Sequence, residues 1–347
     1  MRFKLNFQLV FGQWPLPVKI GILFFAWLIF ITAFHYRLNC HGDDRRVVRM
    51  GYMPVVTNLA APLLDHVSQS SPDIFFEAVK FSSFAEMAEA LRNDHIQAAF
   101  IIAPLAVVLH QQGVDIKVVL IGNRHESTLV ARKELRVTRI EDLTGRTIAV
   151  PMRYSGHNLC LLKAFEEKGL GGRIRLVEMN PPDMASALTT GALDAYFVGE
   201  PFAAQTVRSG DADVVARAEA LWPNFICNLL VVKSDWIAAN PSSVQKLVHT
   251  SARAGMWAKA HSLDAARIAA DYWKQDVGLV EYALTIPKGR VIYDRFVPKA
   301  EELREIADLM ARYHLIKHTD ITGLVEDRFA RSASIADIGE IDSILYP

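Results

Sequence analysis

Met87-Ala88-Glu89-Ala90-Leu91, a short polar break, and then Ile96-Gln97-Ala98-Ala99-Phe100-Ile101-Ile102-Ala103-Pro104 form one unit of this chain. At an offset of 97 residues stand Met184-Ala185-Ser186-Ala187-Leu188, a break at Gly191, and Leu193-Asp194-Ala195-Tyr196-Phe197-Val198-Gly199-Glu200-Pro201. The two units align without a gap. Each begins with an amphipathic helix. The near-continuous apolar run that follows has the character of a strand covered on both faces, as in a parallel sheet. The closing proline suits the first turn of a helix, where its missing N–H costs nothing. The period is too long for a solenoid, so the pattern predicts two similar α/β lobes with a ligand cleft between them.

Composition agrees. The chain has 347 residues, 51% of them hydrophobic and 22% charged, which is globular and long enough for two lobes of ordinary size. Lys plus Arg and Asp plus Glu both number 38. That balance provides no electrostatic footprint for nucleic acid, and none is expected as a partner. The N-terminus differs. Arg2, Lys4 and Lys19 precede an uncharged run from Ile20 to Tyr36. The run lies at the border between a membrane span and a signal-peptide apolar region. His35-Tyr36-Arg37 makes a poor cleavage site, so an uncleaved anchor is expected, with a cleaved signal as the alternative. Cys40 raises lipidation, although Arg37-Leu38-Asn39 lacks the usual small residues. Arginines after the span leave its orientation undecided. Cys160 reads as a packed apolar residue, and a Cys160–Cys227 bridge stays open. With no Cys-x-x-Cys and no Cys/His cluster at zinc spacing, neither a metal nor a cofactor is expected.

Strand and helix alternate along the remainder: strands at Val47–Tyr52, Ile74–Phe81, Ile96–Ala103 and Ile116–Gly122, then Ser127–Arg132 leaving the first lobe. The second lobe opens at Thr147–Val150 and runs through Gly156–Lys168, Ile174–Met179, Asp183–Thr190, Leu193–Val198 and Pro201–Val207, before Leu229–Lys233 returns the chain. From Pro241 the sequence is mostly helical and is expected to wrap the first lobe. The expected division is 1–46 as stub, anchor and linker, 47–131 with 230–335 as lobe 1, and 132–229 as lobe 2.

In open parallel sheets ligands bind beyond the carboxyl ends of the strands, at helix N-termini that favour anions. The turns that qualify carry Met53, Thr57 and Asn58; Ser82, Ser83 and Phe84; Ala103 and Pro104; Arg153, Ser155 and His157; and Glu200. His157 reads either as a donor to a polar head group or as an exposed neighbour of a cap. Arg153 reads as a bidentate anion fork or as a surface arginine. Glu200 complements a helix dipole or meets the ligand. No paired carboxylates or Ser/His/Asp order stand out as a catalytic set. His125 reads as a solvated loop residue.

Several segments resemble the nitrate/sulfonate/taurine-type solute-binding proteins of ABC importers. They are Met50-Gly51-Tyr52-Met53-Pro54, Phe81-Ser82-Ser83-Phe84, Ala103-Pro104, Pro181-Pro182-Asp183-Met184 and, most specifically, Asp194 through Phe202. The resemblance spans Val47 to about Phe329. It implies a two-lobed type II periplasmic-binding-protein fold, here with the N-terminal membrane anchor helix read from the apolar run, and a small anionic solute trapped by hinged closure. It also implies an ABC permease with its ATPase as partners, a periplasmic or extracytoplasmic location, a monomer and no enzymatic activity. A histidine at the place of His157 contacts the anion in the nitrate branch. Phe84 where that branch has tryptophan, and Gly156 where it has a polar residue, argue against nitrate itself. They leave an organic anion or a small heterocycle. The alternatives are an enzyme on the same fold, of pyrimidine-precursor or menaquinone-pathway type, and an anchored ligand sensor.

Overall fold

A computed structural model describes residues 14–39 and 45–346. The chain separates into two compact units, Met1–Arg45 and Arg46–Pro347. In the first, α1 (Leu16–Asn39) is a helix in which Leu16–Tyr36, 21 residues, is long and apolar enough to cross a membrane. Cys40 lies outside the described residues.

The second unit begins β1 (Arg46–Tyr52), α2 (Ala60–Ser68), β2 (Ile74–Lys80), α3 (Phe84–Arg92), β3 (Ala98–Ile102), α4 (Ala103–Gln111), β4 (Ile116–Ile121) and β5 (Ser127–Arg132). It continues β6 (Thr147–Val150), α5 (Gly156–Glu167), β7 (Arg175–Glu178), α6 (Pro181–Thr189), β8 (Ala195–Gly199), α7 (Phe202–Ser209), β9 (Ala212–Arg217) and β10 (Asn228–Lys233). It then becomes helical, with α8 (Pro241–Ala260), α9 (Ser262–Trp273), α10 (Val277–Thr285) and α11 (Ala300–Arg312); shorter helical turns are left unnumbered.

Local chemistry explains the repeated units. Ser83 caps α3 by accepting from Ala85 N, Glu86 sits in its first turn and Arg92 in its last. Met87, Ala88 and Leu91 bury one face of that helix. All five residues of β3 and all five of β8 are buried, as their apolar runs require. Pro104 in α4 and Pro181-Pro182 in α6 occupy first-turn positions.

Two five-stranded sheets result, ordered β2-β1-β3-β10-β4 and β7-β6-β8-β5-β9. They are the same sheet built twice. β1 runs parallel to β2 and β3, with Met50 opposite Ala98; β6 runs parallel to β7 and β8, with Ile148 opposite Ala195. The antiparallel members correspond too. β10 lies between β3 and β4 with a register shift at Leu230/Val231, and β5 lies between β8 and β9 with one at Leu129/Val130. Ser127–Arg132 therefore belongs to the second sheet, and the chain crosses before Ser127 rather than near Ala131. The reason is non-local: its backbone groups pair with Ala195–Gly199 and Ala212–Arg217. β9 and α10 were not foreseen in the sequence.

α8 and α9 pack on the first sheet through Leu247, Val248, Trp257, Ala266 and Trp273. α11 packs on the first half as expected, chiefly against α4, and its Leu303, Ile306 and Met310 join a core that runs through both sheets. At its C-terminus Tyr313 donates to Glu166 of α5 at 2.7 Å.

The first crossing is tight. A Cβ on Gly122, just after β4, would lie 2.4 Å from the Thr57 carbonyl oxygen, a backbone atom that cannot swing aside. Gly122→Ala should therefore lower stability by about 1–3 kcal/mol in chemical denaturation, the range for overpacking. Gly171→Ala, at a glycine with no neighbour within 4 Å, should change it by less than about 0.5 kcal/mol.

Candidate functional site

The turns singled out in the sequence divide between an open cleft and a buried polar seam. The cleft, about 420 Å³, has one wall at the start of α3, with Ser83, Phe84 and Ala85. Its other wall comes from the second sheet, with Pro151, Met152, Glu178, Met179, Asn180 and Asp183. Ser83 and Phe84 are thus wall residues, and Ser82 sits outside on the surface, donating to Glu86. Arg153 lies exposed at the rim. Its guanidinium pairs with Glu178 at 3.3 Å and its backbone N–H donates to the same carboxylate. The guanidinium is the surface alternative, committed to a neighbour. Pro181 and Pro182 remove two N–H donors from the start of α6, so the α3 end supplies the helix-terminal amides of this cleft.

The remaining expected residues lie in the seam. Two asparagines show the duplication at atomic scale. Asn58 Oδ1 accepts from Met53 N, five residues back, at 2.8 Å, and Asn158 Nδ2 donates to the Arg153 carbonyl, also five back, at 2.8 Å. Both tie a β–α turn to the helix that follows it. Met53 is buried in the core. Ser155 caps α5 by accepting from Asn158 N. Ala103 N donates to the Cys227 carbonyl at 2.9 Å, so the first amide of α4 is spent on the crossing strand, and Pro104 behind it has no N–H. Pro104, Asn58 and His157 therefore do not share the open cleft with Ser83.

His157 is 2% exposed. Its Nε2 lies 2.9 Å from Ser127 Oγ and 3.9 Å from Cys227 Sγ, and its ring meets Phe197 edge-on at 5.0 Å. Burial without a charged partner pushes its pKa down to about 3, so the ring is neutral. It is neither an exposed neighbour of the cap nor a residue of the cleft wall. Ser127 Oγ donates to Glu126 Oε1 at 2.7 Å, and the other Glu126 oxygen accepts from Glu200 N. Desolvation pushes the Glu126 carboxyl up to about 7. Glu200 accepts from Thr128 Oγ1 at 2.7 Å and from Ala204 N in the first turn of α7. Its structural reading therefore holds: it serves a helix start and braces the seam. Arg290, unforeseen in the sequence, donates to Thr128 Oγ1, the Ser127 carbonyl and Glu219. His125 also differs from expectation; half buried, its Nε2 lies 2.6 Å from the Pro223 carbonyl. Cys160 and Cys227 are free thiols.

Sequence reasoning missed Glu126, Ser127, Cys227 and Arg290. The available signal was position: Glu126 and Cys227 immediately precede β5 and β10, the two strands that cross between sheets.

The doubled sheet with exchanged antiparallel strands, and a cleft between its halves, is the architecture of known binding proteins. The NMT1-like family model matches residues 42–273. The chain belongs to the NMT1-like family. A Bacillus subtilis (strain 168) protein named for binding aliphatic sulfonates is 23% identical over 330 residues, 91% of this chain and 97% of that one. The taurine-binding periplasmic protein of Escherichia coli (strain K12) is 29% identical over 170 residues, 48% of this chain and 52% of that one. Among solved structures, the alkanesulfonate-binding protein SsuA of Xanthomonas axonopodis pv. citri, bound to MOPS, superposes with a TM-score of 0.69 at 19% identity. The match covers 81% of this chain and 98% of that one. The fold of this NMT1-like protein is also similar to that of a ligand-binding component of an ABC-type import system from Staphylococcus aureus, with a TM-score of 0.76 at 22% identity over 84% of this chain and 100% of that one.

The seam and the rim should respond differently to mutation. Arg290→Met leaves Glu200 and Glu219 without their cation inside the protein and should cost about 3–5 kcal/mol, the range for breaking a buried ion pair. Arg153→Met removes only an exposed pair and should leave the melting temperature unchanged. Thermal denaturation of both variants checks the contrast.

Proposed function

We propose that this chain is the membrane-anchored, extracytoplasmic solute-binding component of an ABC importer. It binds a small solute bearing an oxyanion and works as a monomer that delivers the solute to a permease driven by its ATPase. Residues 47 to about 122 with Asn228–Lys233 and the C-terminal helices act as one lobe, and Ser127 to Arg217 as the other. They close over the solute by hinging at the crossings.

One observation carries this reading. The cleft sets the capped N-terminus of α3 opposite Glu178 and Asp183 of the other half. A helix start favours the anionic end of a ligand, worth about 0.3–1 kcal/mol at an exposed site. The acidic wall favours a cationic or donor group at the other end. A short zwitterion of the taurine kind satisfies both, in keeping with the relatives named for taurine and aliphatic sulfonates. The apolar run Leu16–Tyr36 supports anchoring.

Calorimetric titration of the chain with taurine, ethanesulfonate, nitrate and bicarbonate tests the reading. Taurine should bind more tightly than ethanesulfonate. Asp183→Asn should weaken taurine by about 1.5–3 kcal/mol, the worth of a hydrogen bond to a charged group, without weakening ethanesulfonate. Absence of heat with all four would remove the oxyanion from the proposal.

A further inference from the structure

At the crossings the structure gathers three side chains that the cleft does not use. A carboxylate oxygen of Glu126, a ring nitrogen of His157 and the Cys227 sulfur lie within 4.8 Å of one another, and all three residues are buried. They come from three separate elements. Glu126 precedes β5, Cys227 precedes β10, and His157 stands in the first turn of α5. We propose that Glu126, His157 and Cys227 form a binding site for a divalent transition-metal ion of the zinc class, clamping the two crossing strands to α5.

The donor set argues for that class of ion. One oxygen, one imidazole nitrogen and one thiolate suit a borderline-soft ion that accepts mixed ligands in tetrahedral geometry, and they do not suit calcium or magnesium. The spacing agrees. With Zn–S of about 2.3 Å and Zn–N of about 2.05 Å, the 3.9 Å between Sγ and Nε2 subtends an angle of about 125° at the ion, within reach of tetrahedral by a small side-chain movement. The Ser127 hydroxyl now spans the gap between Nε2 and the Glu126 carboxylate. An ion takes over that bridge once the imidazole carries its proton on Nδ1, and the Ser127 rotamer turns aside.

The pseudo-symmetry of the fold supplies an independent observation. Glu126 and Cys227 hold matching places before the exchanged strands, and His157 matches Thr57, each preceding the paired asparagine. The fourth corner is thus Thr57. Thr57 is 1% exposed, and its hydroxyl lies within hydrogen-bonding reach of the Cys227 thiol. A fourth coordination position beside three protein ligands is where a neutral oxygen donor or a water it holds would stand.

The test uses the full chain in detergent, stripped by chelation and titrated with Co2+ alone. The expected result is uptake of one ion per chain, with a near-ultraviolet thiolate-to-cobalt band and visible transitions of tetrahedral strength. Zn2+ should displace the cobalt. Cys227→Ala should abolish the thiolate band and weaken Co2+ at least ~100-fold, whereas Cys160→Ala should leave both unchanged. Ser127→Ala breaks the hydroxyl bridge but keeps all three ligands, and should retain the band and bind Co2+ within ~10-fold of the parent. Circular dichroism identifies any variant that fails to fold, and Glu126→Gln, nearly isosteric, serves in its place with an expected ~10–100-fold loss. Substoichiometric uptake by the parent, or an unaltered spectrum in Cys227→Ala, overturns the proposal. Solute titration of the stripped protein is scored separately, since the cleft shares none of the three residues.

Discussion

The exchange of β5 and β10 is the constraint on which this molecule depends. Each sheet has a parallel trio built from consecutive chain, and each needs an antiparallel strand inserted between that trio and its edge strand. The chain meets the need by crossing twice. β5 enters the second sheet before any other strand of that sheet has been made, and β10 returns to complete the first. Neither sheet can be completed without the other half of the chain. The two halves are thereby linked through two strands that are themselves buried and hydrogen-bonded on both sides.

The crossing also concentrates polar groups where water is absent. Backbone leaving one sheet for another has carbonyls and amides that no ladder satisfies, so side chains and turns must serve them. Glu126 accepts from Glu200 N, Glu200 accepts from the first turn of α7, the Cys227 carbonyl receives Ala103 N, and Arg290 braces the Ser127 carbonyl. Val56 N donates to the Glu200 carbonyl, tying the first β–α turn of one half to the end of β8 in the other. Several of these groups lie far from their ordinary ionisation range because burial disfavours charge, not because they are poised for catalysis. The cleft is a separate place, set by where α3 and the second sheet leave space between the halves.

The duplicated unit was readable because its signals are local. Apolar spacing in Met87–Leu91 and Met184–Leu188, continuous apolar runs in Ala98–Ile102 and Ala195–Gly199, and prolines at the helix starts each act within a turn or two of chain. The start and end of α3 follow from Ser83 and the apolar face behind it. β9 escaped notice because the apolar run in Ala212–Arg217 is only Val214-Val215-Ala216, flanked by Asp213 and Arg217. It is an edge strand recognisable only beside β5.

The candidate site divides along the same line. The sequence by itself determined the capped helix start that carries Ser83 and Phe84, two residues of the cleft wall, since a cap and a helix start are matters of neighbouring residues. It also determined the long apolar helix ahead of the globular part. Only the tertiary structure decided that Ser127–Arg132 pairs with the second sheet, that Arg153 is spent on Glu178, and that His157 turns inward to Ser127. Only it brought Glu126, His157 and Cys227 together. Residues so far apart in the chain become neighbours through strand pairing and helix packing, whose partners lie elsewhere in the sequence and are chosen by the hydrogen bonds and apolar surface of the whole fold.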